Sequence, residues 1–147
     1  MKGFSKMAVI VVVMALLPTA SMARANIDAI TQFFIGFWEG VDRIDGSKRS
    51  LSISDHDGDG VLEIVSRDSF LILCNDEFGH LMGRARVGDD GKIRSEQTLT
   101  CFTTGAALPA QVTMVPIIKD NIIVETFDNQ NLPPTVFHRV SPIRTGL

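Results

Sequence analysis

From residue 37 onward, apolar and polar positions alternate with a period of two, in short runs separated by Gly/Asp turns. That is the signature of half-buried β-strands joined as hairpins. Phe37 to Ile44 precedes the turn Asp45-Gly46-Ser47, and Ser50 to Ser54 alternates with Leu51 and Ile53 on one face. Asp55 to Gly60 is a second turn, followed by Val61 to Ser66 and by Phe70 to Cys74, a continuous apolar run expected to be buried on both faces. Leu81 to Val87, the turn 88–91, and Lys92 to Phe102 come next, with Ile93, Gln97, Leu99 and Cys101 of one parity. Gly105 to Pro109 reads as a loop, and Val112 to Ile118, Ile122 to Phe127 and Val136 to Val140 complete the set. About nine short strands with short sequential connections predict an all-β antiparallel up-and-down barrel, because closure removes exposed edges. A two-sheet β-sandwich is the alternative.

The pattern changes before residue 36. Ile27, Ile30, Phe33 and Phe34 recur at helical spacing, Asn26 can cap, Asp28 falls in the first turn and Gly36 can end the segment. A short amphipathic helix over 27–35 is therefore expected. Earlier still, Lys2 and Lys6 precede an unbroken apolar run from Met7 to Leu17, Pro18 breaks it, and Ala23-Arg24-Ala25 has the small-x-small form of a signal-peptidase site. Residues 1–25 read as a cleaved export signal, leaving residues 26–147 as one domain that is periplasmic or secreted.

Composition narrows the partners. Losing 25 of 147 residues leaves 122, and losing Lys2, Lys6 and Arg24 takes the formal charge from −3 to −6. Without a Lys/Arg cluster, nucleic acid and anionic membranes are not expected partners. No apolar stretch of the mature part is long enough to span a bilayer. The only thiols are Cys74 and Cys101, each at the end of a run. In an exported domain they are expected to pair, and closing that loop would contribute about 3–4 kcal/mol in the chain-entropy model.

Gly36-Phe37-Trp38-Glu39-Gly40 places the single Trp between two glycines of the same parity, with room for its ring across one end of the barrel. This resembles the start of a lipocalin-type (calycin) barrel, in which Gly-x-Trp follows a short helix and an Arg near the last strand packs on the Trp. Arg139 or Arg144 is in position to be that Arg. The wider layout, with its later cysteine pair and final Phe-His-Arg-Val, is similar to small bacterial exported lipocalin-like domains of unknown function. A barrel of this size either fills its interior or holds one small ligand. With Phe37, Phe70, Phe78, Phe102, Phe127 and Phe137 and no Tyr, the interior is expected to suit an apolar ligand or no ligand at all. The competing expectation is an exported protein-interaction module, such as a hydrolase inhibitor, acting through its turns.

Two further features bear on chemistry. Asp55, Asp57 and Asp59 alternate, Gly58 and Gly60 permit a tight wrap, and Glu63 follows. The spacing is similar to Asp-x-Asp-x-Asp-Gly calcium loops. It departs from an EF-hand, since strands flank it and Ser66 stands at the twelfth position. These four residues form either a candidate calcium site or an ordinary acidic hairpin turn. His56, His80 and His138 are scattered with no paired spacing, and no Gly-x-Ser-x-Gly elbow occurs, so no catalytic residues are assigned and a non-enzyme is expected.

Overall fold

The computed structural model describes residues 19–71, 74, 75, 77–128 and 130–140. Helix α1 spans Thr19–Phe34. Eight strands follow: β1 Gly36–Val41, β2 Lys48–Ser54, β3 Leu62–Leu71, β4 Glu77–Ala85, β5 Ile93–Cys101, β6 Ala107–Ile117, β7 Ile122–Phe127 and β8 Thr135–Arg139. Each pairs antiparallel with the next, and β8 pairs with β1, closing an up-and-down barrel. Among the described residues, no helix is long and apolar enough to cross a membrane.

The barrel is the expected one, with three differences. The strand read over Val61 to Ser66 and the beginning of the one read over Phe70 to Cys74 are one strand, β3, which ends at Leu71 and whose register shifts between Asp68 and Leu71; Cys74 lies beyond it in a helical turn. Arg67, Asp68 and Ser69 fall between the two expected strands; in the barrel they belong to β3, and Asp68 points inward and is buried. The segment read as a loop at 105–109 already belongs to β6 from Ala107, with Pro109 opposite Thr98 near the strand start, where a missing N–H is tolerated. Helix α1 begins well before Asn26 and ends at Phe34, so Asn26 and Asp28 are exposed helical residues rather than a cap and a first turn. The run Thr19-Ala-Ser-Met-Ala-Arg-Ala is rich in good helix formers, which carries the helix upstream across Ala23–Ala25. The apolar run 7–17 lies outside the described residues.

The connections divide the barrel into two ends. The β2–β3, β4–β5 and β6–β7 turns lie at the same end as α1. Phe34 is fully buried there, Ile30, Phe33 and Ile35 pack against the core, and a Cβ on Gly91 of the β4–β5 turn would come within 3.1 Å of the Ile30 side chain. This end is closed by the helix. The β1–β2, β3–β4, β5–β6 and β7–β8 connections surround the opposite, open end, where the disulfide Cys74–Cys101 ties the β3–β4 loop to the end of β5 across a Cα–Cα distance of 5.3 Å.

Inward positions alternate as the period-two pattern requires: Leu51 and Ile53 on β2, Ile93, Gln97, Leu99 and Cys101 on β5, Val112 and Met114 on β6. The aromatic interior expected from sequence is only partly present. Phe137 is buried and Phe127 half-buried, but Phe37, Phe78 and Phe102 are 69%, 61% and 58% exposed on the outer face. The side chain of Phe70 lies outside the described ones.

Candidate functional site at the barrel mouth

The space left by those phenylalanines is occupied by charge. Arg49 on β2, Asp68 on β3 and Glu125 on β7 all project into the barrel and are 1–2% exposed. The Arg49 guanidinium crosses the interior. Its Nη1 lies 2.5 Å from Glu125 Oε2 and donates to Thr135 Oγ1 at 2.8 Å; Nη2 donates to Ser66 Oγ at 3.2 Å; Nε faces Asp68 Oδ2 at 3.4 Å. The rings of Phe137 and Phe127 flank its carbon at 5.3 and 5.5 Å. A buried cation is tolerated only when paired in this way. Ser47 Oγ donates to Asp68 Oδ1 from the β1–β2 hairpin, linking the network to the open rim.

Gln97 belongs to the same polar belt. It is 2% exposed, and it fits because Gly83 opposite has no side chain: a Cβ there would sit 2.7 Å from Gln97 Cγ. Neither atom of its amide, nor Glu125 Oε1, meets a hydrogen-bond partner among the described residues. Among the described residues, the belt holds one guanidinium and two carboxyl groups.

Above the belt the open end widens into a cavity of about 270 Å³. Its walls are Leu81, Leu99, Leu108, Ala110, Phe127 and Leu132, with Ile44 from the first hairpin, and Arg49 and Asp68 form its floor. The barrel is thus filled at its closed end, charged at mid-height and open with apolar walls at its mouth. The sequence shows the wall residues through strand alternation. It hides the floor, because Lys48-Arg49-Ser50 and Arg67-Asp68-Ser69 read as polar segments next to turns.

The closed end is built around Trp38. The indole is 1% exposed, and its Nε1 donates to Phe34 O at 2.9 Å. Arg139 lies over the ring at 4.1 Å and over Phe33 at 5.3 Å. Its Nη1 donates to Ile35 O at 2.9 Å, Nη2 to Phe33 O, and Nε to Asn121 Oδ1 at 3.2 Å. The guanidinium thereby caps carbonyls at the helix C-terminus, where a cation is favoured; burial pushes the Arg139 pKa down. The flanking glycines serve neighbours other than the indole. A Cβ on Gly36 would lie 2.7 Å from Arg139 Nη1, and one on Gly40 would lie 2.7 Å from Val136 O. Arg144 lies outside the described residues.

The acidic turn is at the closed end, far from the mouth. Its carboxylates diverge: Asp59 faces Arg86 at 3.4 Å and Glu63 faces Arg84 at 2.5 Å, while Asp55 Oδ2 accepts from Gly60 N at 3.0 Å and Asp59 Oδ1 from Val61 N at 2.8 Å. Asp57 is exposed. Among the described residues, no three His, Cys, Asp or Glu side chains converge on a point that would hold a metal. His56 lies 3.5 Å from Glu63, His80 stacks on Phe102 at 5.0 Å, and His138 is exposed on β8, so the three histidines stay apart.

No family model, curated protein or solved structure matches this chain. The functional reading therefore rests on the residues and geometry above.

Proposed function

We propose that the chain is an exported, lipocalin-like binding module that takes a small, largely apolar ligand into the mouth of the barrel, and that it acts by binding rather than catalysis. The observation that carries the reading is the apolar-walled cavity at the open end, closed below by the Arg49 network. A concave apolar site with a few convergent polar groups is the usual form of a small-ligand pocket. The disulfide at the rim is compatible with an oxidising compartment. A signal peptide ending at Ala25 would complete the picture, and mass spectrometry of the protein recovered from its source would then find Asn26 at its N-terminus.

The test is titration with an environment-sensitive anilinonaphthalene dye. One saturable site is expected, and Ala110→Phe, which fills the mouth from β6, abolishes it. A titration that never saturates, or one unaffected by Ala110→Phe, removes the reading. The second reading, an exported interaction module such as a hydrolase inhibitor, draws support from the outward rings of Phe78 and Phe102, cross-strand neighbours at the rim. Under that reading Phe78→Ser and Phe102→Ser abolish capture of a protein partner and leave dye binding unchanged.

A further inference from the structure

We propose that the ligand is an anionic amphiphile bound tail-in, its acid group held outside the mouth by Arg43, Lys48 and Arg67. This rests on the binding reading above and extends it to the chemistry of the head group.

The interior argues against an anion at the floor. Among the described residues Arg49 is the only buried cation, and it already faces two carboxylates, so a third acid group there would lack a cation of its own. Burying an unpaired charge costs several kcal/mol. An acid group on a mouth ligand is therefore driven back to the rim.

The rim is prepared for it. At the closed end, Arg84, Arg86, Lys92 and Arg94 each have an acid within 4 Å, at Glu63, Asp59 and Asp90, whereas the exposed Lys119 has none among the described residues. Arg43, Lys48 and Arg67 are exposed, and none has an acid within ion-pair distance among the described residues. All three line one groove of about 760 Å³ over the outer face of β1–β3, walled on its apolar side by Phe78 and Phe102. Three acids also border it: Glu39, Asp42, whose Oδ1 accepts from Ile44 N at 2.7 Å, and the buried Asp68, which faces Arg49. The groove and the mouth cavity share Asp42, Arg49 and Asp68 in their linings, so the two adjoin beside the first hairpin. In a chain of net charge −3, a groove with three exposed cations that face no acid within ion-pair distance among the described residues favours an anion.

The experiment compares octyl phosphate, octanol and octylamine, which share a tail and differ in head charge, by dye displacement at low salt. Octyl phosphate is expected to bind about tenfold more tightly than octanol, since charge-assisted contacts at a partly exposed rim are worth that order. The advantage disappears in about 1 M salt, where screening is nearly complete. It also disappears in the triple variant Arg43→Gln/Lys48→Gln/Arg67→Gln, whose octanol affinity is unchanged. Octanol or octylamine binding as tightly as octyl phosphate would overturn the assignment of the head group and leave the mouth site standing. Octyl phosphate binding that survives Ala110→Phe would overturn the tail-in orientation. Failure of the dye itself to bind would remove the mouth site and this inference together.

Discussion

Replacing Arg49 with Met is the most informative single change. The Met side chain approximates the stem of Arg49 and removes the guanidinium, so Asp68 and Glu125 stay buried and lose their shared countercharge. Breaking a buried ion pair from one side costs about 3–5 kcal/mol. The hydrogen bonds to Thr135 and Ser66 go as well, as do the contacts with the rings of Phe127 and Phe137. For a domain of this size each kcal/mol moves the melting temperature by about 3–5 °C, so a fall of about 10–20 °C is expected. Urea denaturation of the oxidised protein measures it, and the midpoint should fall with the slope unchanged. The triple variant Arg49→Met/Asp68→Asn/Glu125→Gln should recover most of the loss, because the cost lies in burying two carboxylates that no longer face Arg49. A loss below about 1 kcal/mol for Arg49→Met, a surface-pair value, would refute the view that these three side chains form a desolvated network.

The remaining expectations are simpler. Replacing Cys74 and Cys101 by Ser should cost about 2–5 kcal/mol, seen as a lower melting temperature than that of the oxidised protein. Gly36→Ala should destabilise by about 1–3 kcal/mol, because φ there is +142° and the new Cβ meets Arg139; equilibrium unfolding measures it. The Asp90 carboxyl, held down to about 2 from 3.8 chiefly by its hydrogen bond from Arg94, should titrate near that value by NMR and return upward in Arg94→Gln. Because its folded-state pKa is depressed, whatever it adds to stability is present at neutral pH and lost as pH falls through about 2. Calcium added to chelator-treated protein should leave the melting curve unchanged, since binding would have to displace Arg84 and Arg86 from Glu63 and Asp59; a rise abolished by Asp57→Ala would establish the acidic turn as a cation site.

Period-two alternation and Gly/Asp turns suffice for the barrel because sterics and hairpin closure are local rules. They stop sufficing where an inward position is polar. Asp68 interrupts an apolar run and so splits β3 in two on paper, yet it is the residue that joins β3 to Arg49. The outward Phe37, Phe78 and Phe102 err in the opposite direction: hydrophobicity suggests core, and strand parity puts them outside. The Trp38 clasp is legible as Gly-x-Trp. The choice of Arg139 depends on β8 lying against β1, a pairing that only the closed barrel provides. Nothing in one dimension brings Arg43, Lys48 and Arg67 to a common groove.

The seam between β1 and β8 has a temporal consequence. It pairs Trp38 with Arg139, Glu39 with His138 and Gly40 with Phe137, uniting the first strand with the last. Every other strand pair joins sequence neighbours and can form early as a hairpin, whereas this one must close nearly the whole domain as a loop. The carbonyls of Phe33, in α1, and of Ile35, just after it, wait for the same arginine, across 106 and 104 residues respectively. A chain emerging N-terminus first therefore carries α1 without its cap, and an open sheet edge on β1, until Arg139 arrives. Loss of the last strand should leave a sheet that pairs with other chains rather than a smaller barrel.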